Sequence, residues 1–418
     1  MKRLLDPFKT EYFNNVSIQL IGTGIAQLIP FLVSPILTRL YQEENFATFT
    51  FFMAIVGVLV IPNGGRYYYA MVVPRKDSEA IDLGKLSFWL IIFYNCFLLL
   101  LIVFFYNHLN AFYALKGLWF VIPLYVAFFG IYNIVLYLSV RQKFFKENAI
   151  AKIAQTVSTS IFSIVLAFFG LINSGLIFGK IAGTVTSIPF FKAKLNLQTD
   201  AKRLVAVARK YIDYPKVTIL PALLDVFSVQ ALIFFVGTYY SEETLGYLGL
   251  TNMILVAPMA LIGVSFRDVF YQKAATFFNK KNYYKAKRLF LGSVFILFLI
   301  GGCIAFILYF FGKEIFSLVY GENWETSGSF AVILGFSLWA KLCTSPLSSI
   351  FNATNQLKLL SAWQITYFFT TVITLLFTIV YFKLPIKQTL IVYTVHEVLI
   401  YALYFFIQKQ ALKKFKTH

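Results

Sequence analysis

Five stretches of this chain, residues 86–105, 118–140, 153–172, 289–312 and 359–382, contain no charged residue. Each supplies the roughly 20 apolar residues that a helix needs to cross a bilayer core. Adding the blocks that carry one or two polar interruptions predicts twelve spans: 14–38, 46–73, 86–105, 118–140, 153–172, 173–191, 217–238, 245–266, 289–312, 327–351, 359–382 and 388–408. The longest connection on the predicted outer side, 313–324, has a dozen residues and leaves no room for an extracytoplasmic domain. On the inner side the largest are 192–216 and 267–288. In the first of these Lys202, Arg203, Arg209 and Lys210 recur at seven-residue spacing, while Leu204, Ala208, Tyr211 and Ile212 fall on another face. That is the pattern of a helix lying on an anionic leaflet, with membrane lipids as its partner.

Composition agrees with the pattern: 59% of residues are hydrophobic and 13% charged, against roughly 25% charged in a soluble domain. A net charge of +19 raises nucleic acid as a partner, and its distribution removes it. With the N-terminus cytoplasmic, 29 of the 37 Lys and Arg fall on the inner side, 5 on the outer, and Arg66, Lys180 and Lys341 within spans. This is the positive-inside rule, and it predicts both termini in the cytoplasm and no nucleic-acid partner. No cleaved signal peptide is expected, because the first apolar stretch is too long and lacks a small-residue cleavage site. Cys96, Cys303 and Cys343 lie singly in apolar spans, so no disulfide, metal site or cofactor is expected.

The largest inner connection divides the spans six and six, predicting an N-terminal lobe over 1–191, an amphipathic linker over 192–216 and a C-terminal lobe over 217–418. "YQEENFATF" from Tyr41 and "YSEETLGYL" from Tyr240 each close one span and open the next at equivalent places in the two halves. The predicted fold is therefore an all-α integral membrane protein of twelve transmembrane helices. Its two six-helix lobes are related by a pseudo-two-fold along the membrane normal, around a central cavity, as in transporters.

Within that frame, the first span carries Gln19, Thr23, Gln27, Pro30, Ser34 and Thr38 at helical spacing, a polar face that either lines a wet cavity or bonds to neighbouring helices. In the second, Asn63, Arg66 and Tyr67 stand at i, i+3 and i+4, just after Pro62 and beside Gly64-Gly65. Two readings fit Arg66: a cavity-facing anion site, or a snorkelling residue at a span end with Tyr67–Tyr69 as an interfacial belt. Lys180, Asp225, Lys341 and Glu397 are further intramembrane charges, each costly enough to require an interior partner or water. Lys180 lies among Gly175, Gly179 and Gly183, a close-packing face, as well as being a candidate for the cavity wall. Asp225, and Glu397 beside His396, are candidate ion-coupling groups or members of structural ion pairs. With Arg39 and Arg267 at span ends, the interior is positive on balance and suits an anionic cargo. No Walker pattern is present, so energy would come from gradients, potential or substrate concentration.

"IGTGIAQLIPFLVSPILTRLY", an acidic turn and then "GGRYYYAMVVPRKDSEA" resemble the N-terminal signature of bacterial O-antigen and capsule flippases, with a weaker echo over 265–288. These form the polysaccharide-transport branch of the superfamily that also holds multidrug exporters and lipid II flippases. The resemblance implies a multi-pass protein of the bacterial cytoplasmic membrane. By alternating access through a cationic vestibule, it would move undecaprenyl-pyrophosphate-linked oligosaccharide from the inner to the outer leaflet, with polysaccharide polymerase and chain-length machinery as partners. Arg39 matches the arginine closing the family's first helix and Arg66 that of its "GRY" motif, while Tyr68 stands where the family often has Glu. A diphosphate needs cationic donors, which Arg66, Arg39, Lys341 and Arg267 supply, and Tyr67 can stack on sugar faces. Two rivals are weaker: a multidrug antiporter should favour cavity carboxylates, and a polymerase usually carries a sizeable outer loop or paired carboxylates.

Overall fold

The computed structural model describes residues 7–109, 115–193, 200–279, 282–354 and 356–416. Among these every regular element is helical. The chain runs through α1 (Pro7–Leu40), α2 (Glu43–Leu59), α3 (Tyr67–Ala70), α4 (Asp77–Leu109), α5 (Val121–Arg141), α6 (Phe145–Phe168), α7 (Gly175–Ser187) and α8 (Ala201–Lys210). It continues through α9 (Asp213–Tyr239), α10 (Glu242–Pro258), α11 (Val264–Asn279), α12 (Tyr283–Tyr320), α13 (Glu325–Thr344), α14 (Ile350–Ala353), α15 (Leu357–Leu375) and α16 (Ile386–Lys416). Among the described residues ten segments are long and apolar enough to cross a membrane, and an eleventh is added if α2 and the bent piece Asn63–Ala70 count as one span. The sixth expected span is shorter: α7 has 13 residues and rises about 20 Å before a 3₁₀ turn at Ile188–Phe190. Phe93, Phe104, Phe168 and Leu318 are all more than 70% exposed, as lipid-facing side chains are.

The helices form two compact units, 1–41 with 48–223 and 42–47 with 224–418. In the first, α1 packs on α6, α6 on α7 and α4 on α5. Gly179 and Gly183 lie so close to Ser163 and Thr159 that any Cβ there would collide, so the small-residue face read in the sequence is the α6–α7 seam. α8 forms where the amphipathic pattern placed it. Asp200 caps it by accepting from the Lys202 amide at 3.0 Å, and Val207 is buried beside Tyr67, Tyr68 and Leu83. Its last lysine, Lys210, pairs with Glu79 at the start of α4, and the carboxylate holds that ammonium above the ordinary lysine range.

In the second unit α13 packs against α12, α10 and α16. Trp363 stacks on Tyr404 with ring centroids 4.0 Å apart and on Tyr367 at 5.1 Å, joining α15 to α16. At each of the two similar corners of the sequence the tyrosine follows a helix and donates to a distant carbonyl. Tyr41 follows α1 and donates to the Ser163 carbonyl at 2.6 Å; Tyr240 follows α9 and donates to the Leu384 carbonyl at 2.6 Å. The Glu-Glu pairs after them stand in the first turns of α2 and α10, where negative charge complements the helix dipole.

Candidate functional site

The second expected span, 46–73, is not one helix. α2 stops at Leu59, and the chain re-enters at Asn63 bent by 54°. Gly64, Gly65 and Arg66 are successive left-handed residues with φ of 63°, 59° and 56°. Glycine takes this conformation freely, whereas Arg66 does so at a cost of about 1–2 kcal/mol. The i, i+3, i+4 face expected for Asn63, Arg66 and Tyr67 is therefore absent, because that spacing assumes right-handed backbone throughout. Asn63 is buried and donates to the Val126 carbonyl at 2.7 Å, pinning the break to α5. Tyr67 is buried too, its hydroxyl donating to the Ala208 carbonyl at 3.1 Å. Both hold the fold rather than face open space. Arg66 alone is left half-buried, its guanidinium 4.6 Å above the half-buried ring of Tyr69. One Nη reaches the Thr218 carbonyl at 3.5 Å, the outer limit of a hydrogen bond, and the buried Nε has no partner among the described residues. A planar five-donor group is thus held in a disfavoured backbone conformation with most of its donors unused.

Two more cations enter the helices of this unit. Lys152 of α6 donates to Thr23 of α1 at 3.2 Å, and the ammonium of Lys180 on α7 has no hydrogen-bond partner among the described residues. Neither forms an ion pair there, nor does Arg66. Of the polar face read on α1, Ser34 and Thr38 bond carbonyls of their own helix, Thr23 accepts from Lys152, and half-buried Gln27 has no partner among the described residues. The side chain of Gln19 lies outside the described set. Arg39 donates back to the Pro35 carbonyl of its own helix at 2.6 Å and is exposed, as is Arg267 on α11.

The second unit brings together Lys341, read in the sequence as a donor to the cargo, and Glu397, read as an ion-coupling group or a member of a structural ion pair. Lys341 of α13 and Glu397 of α16 form an ion pair of 2.6 Å, with Glu397 fully buried. Tyr367 donates to the same carboxylate at 3.3 Å, His396 Nδ1 lies 3.6 Å from its other oxygen, and the rings of Tyr393 and Tyr401 flank the ammonium at 5.9 and 5.8 Å. Lys341 lines a cavity of about 360 Å³ formed by α9, α10, α13 and α16. Asp225 is bonded to Gln364 and pairs with no cation among the described residues. Sequence reasoning missed Lys152, assigned to a loop because the uncharged block begins one residue later, and the cavity's amides Gln230 and Asn252, which no local pattern marks.

The fold is similar to that of solved transporters of the MOP superfamily. The lipid II flippase MurJ in an inward closed conformation is similar over 95% of this chain and 90% of its own, with a TM-score of 0.71 and 14% identity. An inward-facing multidrug resistance MATE transporter is similar over 96% and 98%, at 0.63 and 14%. A MOP transporter from Pyrococcus furiosus, in which reverse polarity of the binding pocket suggests a different function, matches over 96% of each chain at 0.58 and 14%. No curated protein matches the chain. The profile of the polysaccharide biosynthesis protein family covers residues 36–329, and the chain belongs to that family.

Proposed function

We propose that this protein is a flippase that carries undecaprenyl-pyrophosphate-linked oligosaccharide, a repeat unit of O-antigen, capsule or exopolysaccharide. It moves this cargo from the inner to the outer leaflet of the bacterial cytoplasmic membrane by alternating access. Both termini are cytoplasmic, and the helices make up the family's two six-helix lobes. Family membership and a transporter fold support a lipid-linked cargo in general; the observation that carries the diphosphate is Arg66. A guanidinium kept in a left-handed turn, with its donors nearly unused, suits two phosphoryl groups that accept in parallel. Lys152 and Lys180, unpaired in the same unit, add to a positive interior. An organic-cation exporter would want accessible carboxylates instead; the second unit buries Glu397 behind Lys341, and its Asp225 is engaged by Gln364.

The test is transfer of a fluorescent polyprenyl-diphosphate oligosaccharide across proteoliposomes, compared with empty vesicles and with an Arg66→Ala variant. Transfer that requires the protein and falls in the variant is expected. Transport of an organic cation with no movement of the lipid would refute the reading.

A further inference from the structure

The cavity beside Lys341 holds more polar chemistry than the ion pair. Gln230 of α9 and Asn252 of α10 both line it, and neither amide has a hydrogen-bond partner among the described residues. Each primary amide offers a carbonyl acceptor and two N–H donors. Ser337 lines the wall as well, and the rings of Tyr393 and Tyr401 form part of it, among aliphatic residues of the same four helices. Lys341 gives one of its three protons to Glu397 at 2.6 Å. Because Glu397 is fully buried and is not part of the wall, the cavity meets an ammonium donor whose charge is already balanced from behind.

Unpaired amides in a membrane-embedded cavity are costly unless a polar ligand or water meets them. At about 360 Å³ the space falls within the roughly 300–1,000 Å³ of small-molecule sites. Amides that both give and accept, an ammonium, a hydroxyl and aromatic rings match a sugar, which presents hydroxyls at its edge and C–H groups on its face. An acyl chain would leave both amides unmet. An acidic sugar would meet an ammonium already neutralised by Glu397 and would have to give up the hydration of its own charge.

We propose that this cavity of the second unit is a subsite for one neutral hexosyl residue of the cargo, read by Gln230 and Asn252 and by the Glu397-compensated ammonium of Lys341. The inference rests on the flippase reading above and adds the class of sugar.

It is tested by equilibrium binding of three probes to the full-length protein in nanodiscs: a polyprenyl diphosphate bearing one neutral hexose, the same lipid bearing one hexuronic acid, and the same lipid bearing no sugar. Wild type should bind the hexosyl probe about tenfold more tightly than the bare lipid, the worth of one or two well-made hydrogen bonds. Gln230→Leu and Asn252→Leu should each bring that ratio towards one with the affinity for bare lipid unchanged, which also reports that the variants are folded. Glu397→Gln, which leaves the ammonium uncompensated, should turn the preference towards the hexuronosyl probe. A hexosyl ratio that survives both leucine variants, or a wild-type preference for the acidic probe, overturns the subsite. Equal binding of all three probes overturns it as well and leaves the flippase reading standing. Binding of none refutes both.

Discussion

Replacing Arg66 by glycine separates a binding role from an anchoring one. At φ of 56° the arginine backbone carries about 1–2 kcal/mol that glycine would not. Against this relief stand the extra unfolded-state freedom of glycine, about 0.5–1 kcal/mol, and the lost contact with the Tyr69 ring, about 0.5–1 kcal/mol. The hydrogen bond to Thr218 at 3.5 Å adds little. The opposing amounts nearly cancel, so Arg66→Gly should unfold within about 1 kcal/mol of wild type in a detergent or nanodisc melt. Transport should behave differently. Loss of a charge-assisted contact to a diphosphate, about 1.5–3 kcal/mol, lowers transfer of the lipid-linked glycan about tenfold to a hundredfold in proteoliposomes. Arg66→Lys keeps the charge but not the planar fork, and should fall between the two. A stable Arg66→Gly protein that transfers cargo at the wild-type rate would refute the reasoning and leave the residue as an interfacial anchor. A variant that fails to fold would show that the contacts of Arg66 outweigh its strain.

Two further outcomes follow from the packing. Lys341→Met should lower stability by about 3–5 kcal/mol, because Glu397 is left buried without its partner, and Glu397→Gln should cost less, because the Lys341 ammonium meets the cavity. The double variant should recover most of that loss, and single and double variants that destabilise equally in thermal melts would disprove the coupling. Gly183→Val should separate α7 from α6 and abolish the folded protein, read as loss of a monodisperse peak in size-exclusion chromatography, because Thr159 and the Gln155 carbonyl occupy the space a side chain would need. A monodisperse, transport-active Gly183→Val protein would show that the seam can open.

The spans were legible because an uncharged block of the right length has few alternatives in one dimension. Their ends were less so, and for a physical reason: a helix runs on past the hydrocarbon when its capping and packing favour it. α12 therefore extends over Tyr283–Tyr320, well beyond the uncharged 289–312, and α6 reaches back to Phe145 and carries Lys152 with it. The break in the second span was half visible. Pro62, Gly64 and Gly65 announced a weak point, but the contact that pins the break, Asn63 donating to the Val126 carbonyl, lies 63 positions away.

The same limit governs the charges. Insertion cost alone required that Lys341 and Glu397 find interior partners, and it left open whether each met the other, water or cargo. Only packing of α13 on α16 settles that they meet at 2.6 Å. The pairing changes what each residue can do. A lone lysine in that wall would attract any anion, and a lone glutamate would exchange protons or cations; joined, they present a donor without net charge. On the proposed reading, selectivity for the diphosphate falls to the unpaired cations of the first unit, and the second unit would sort the cargo by hydroxyls and shape.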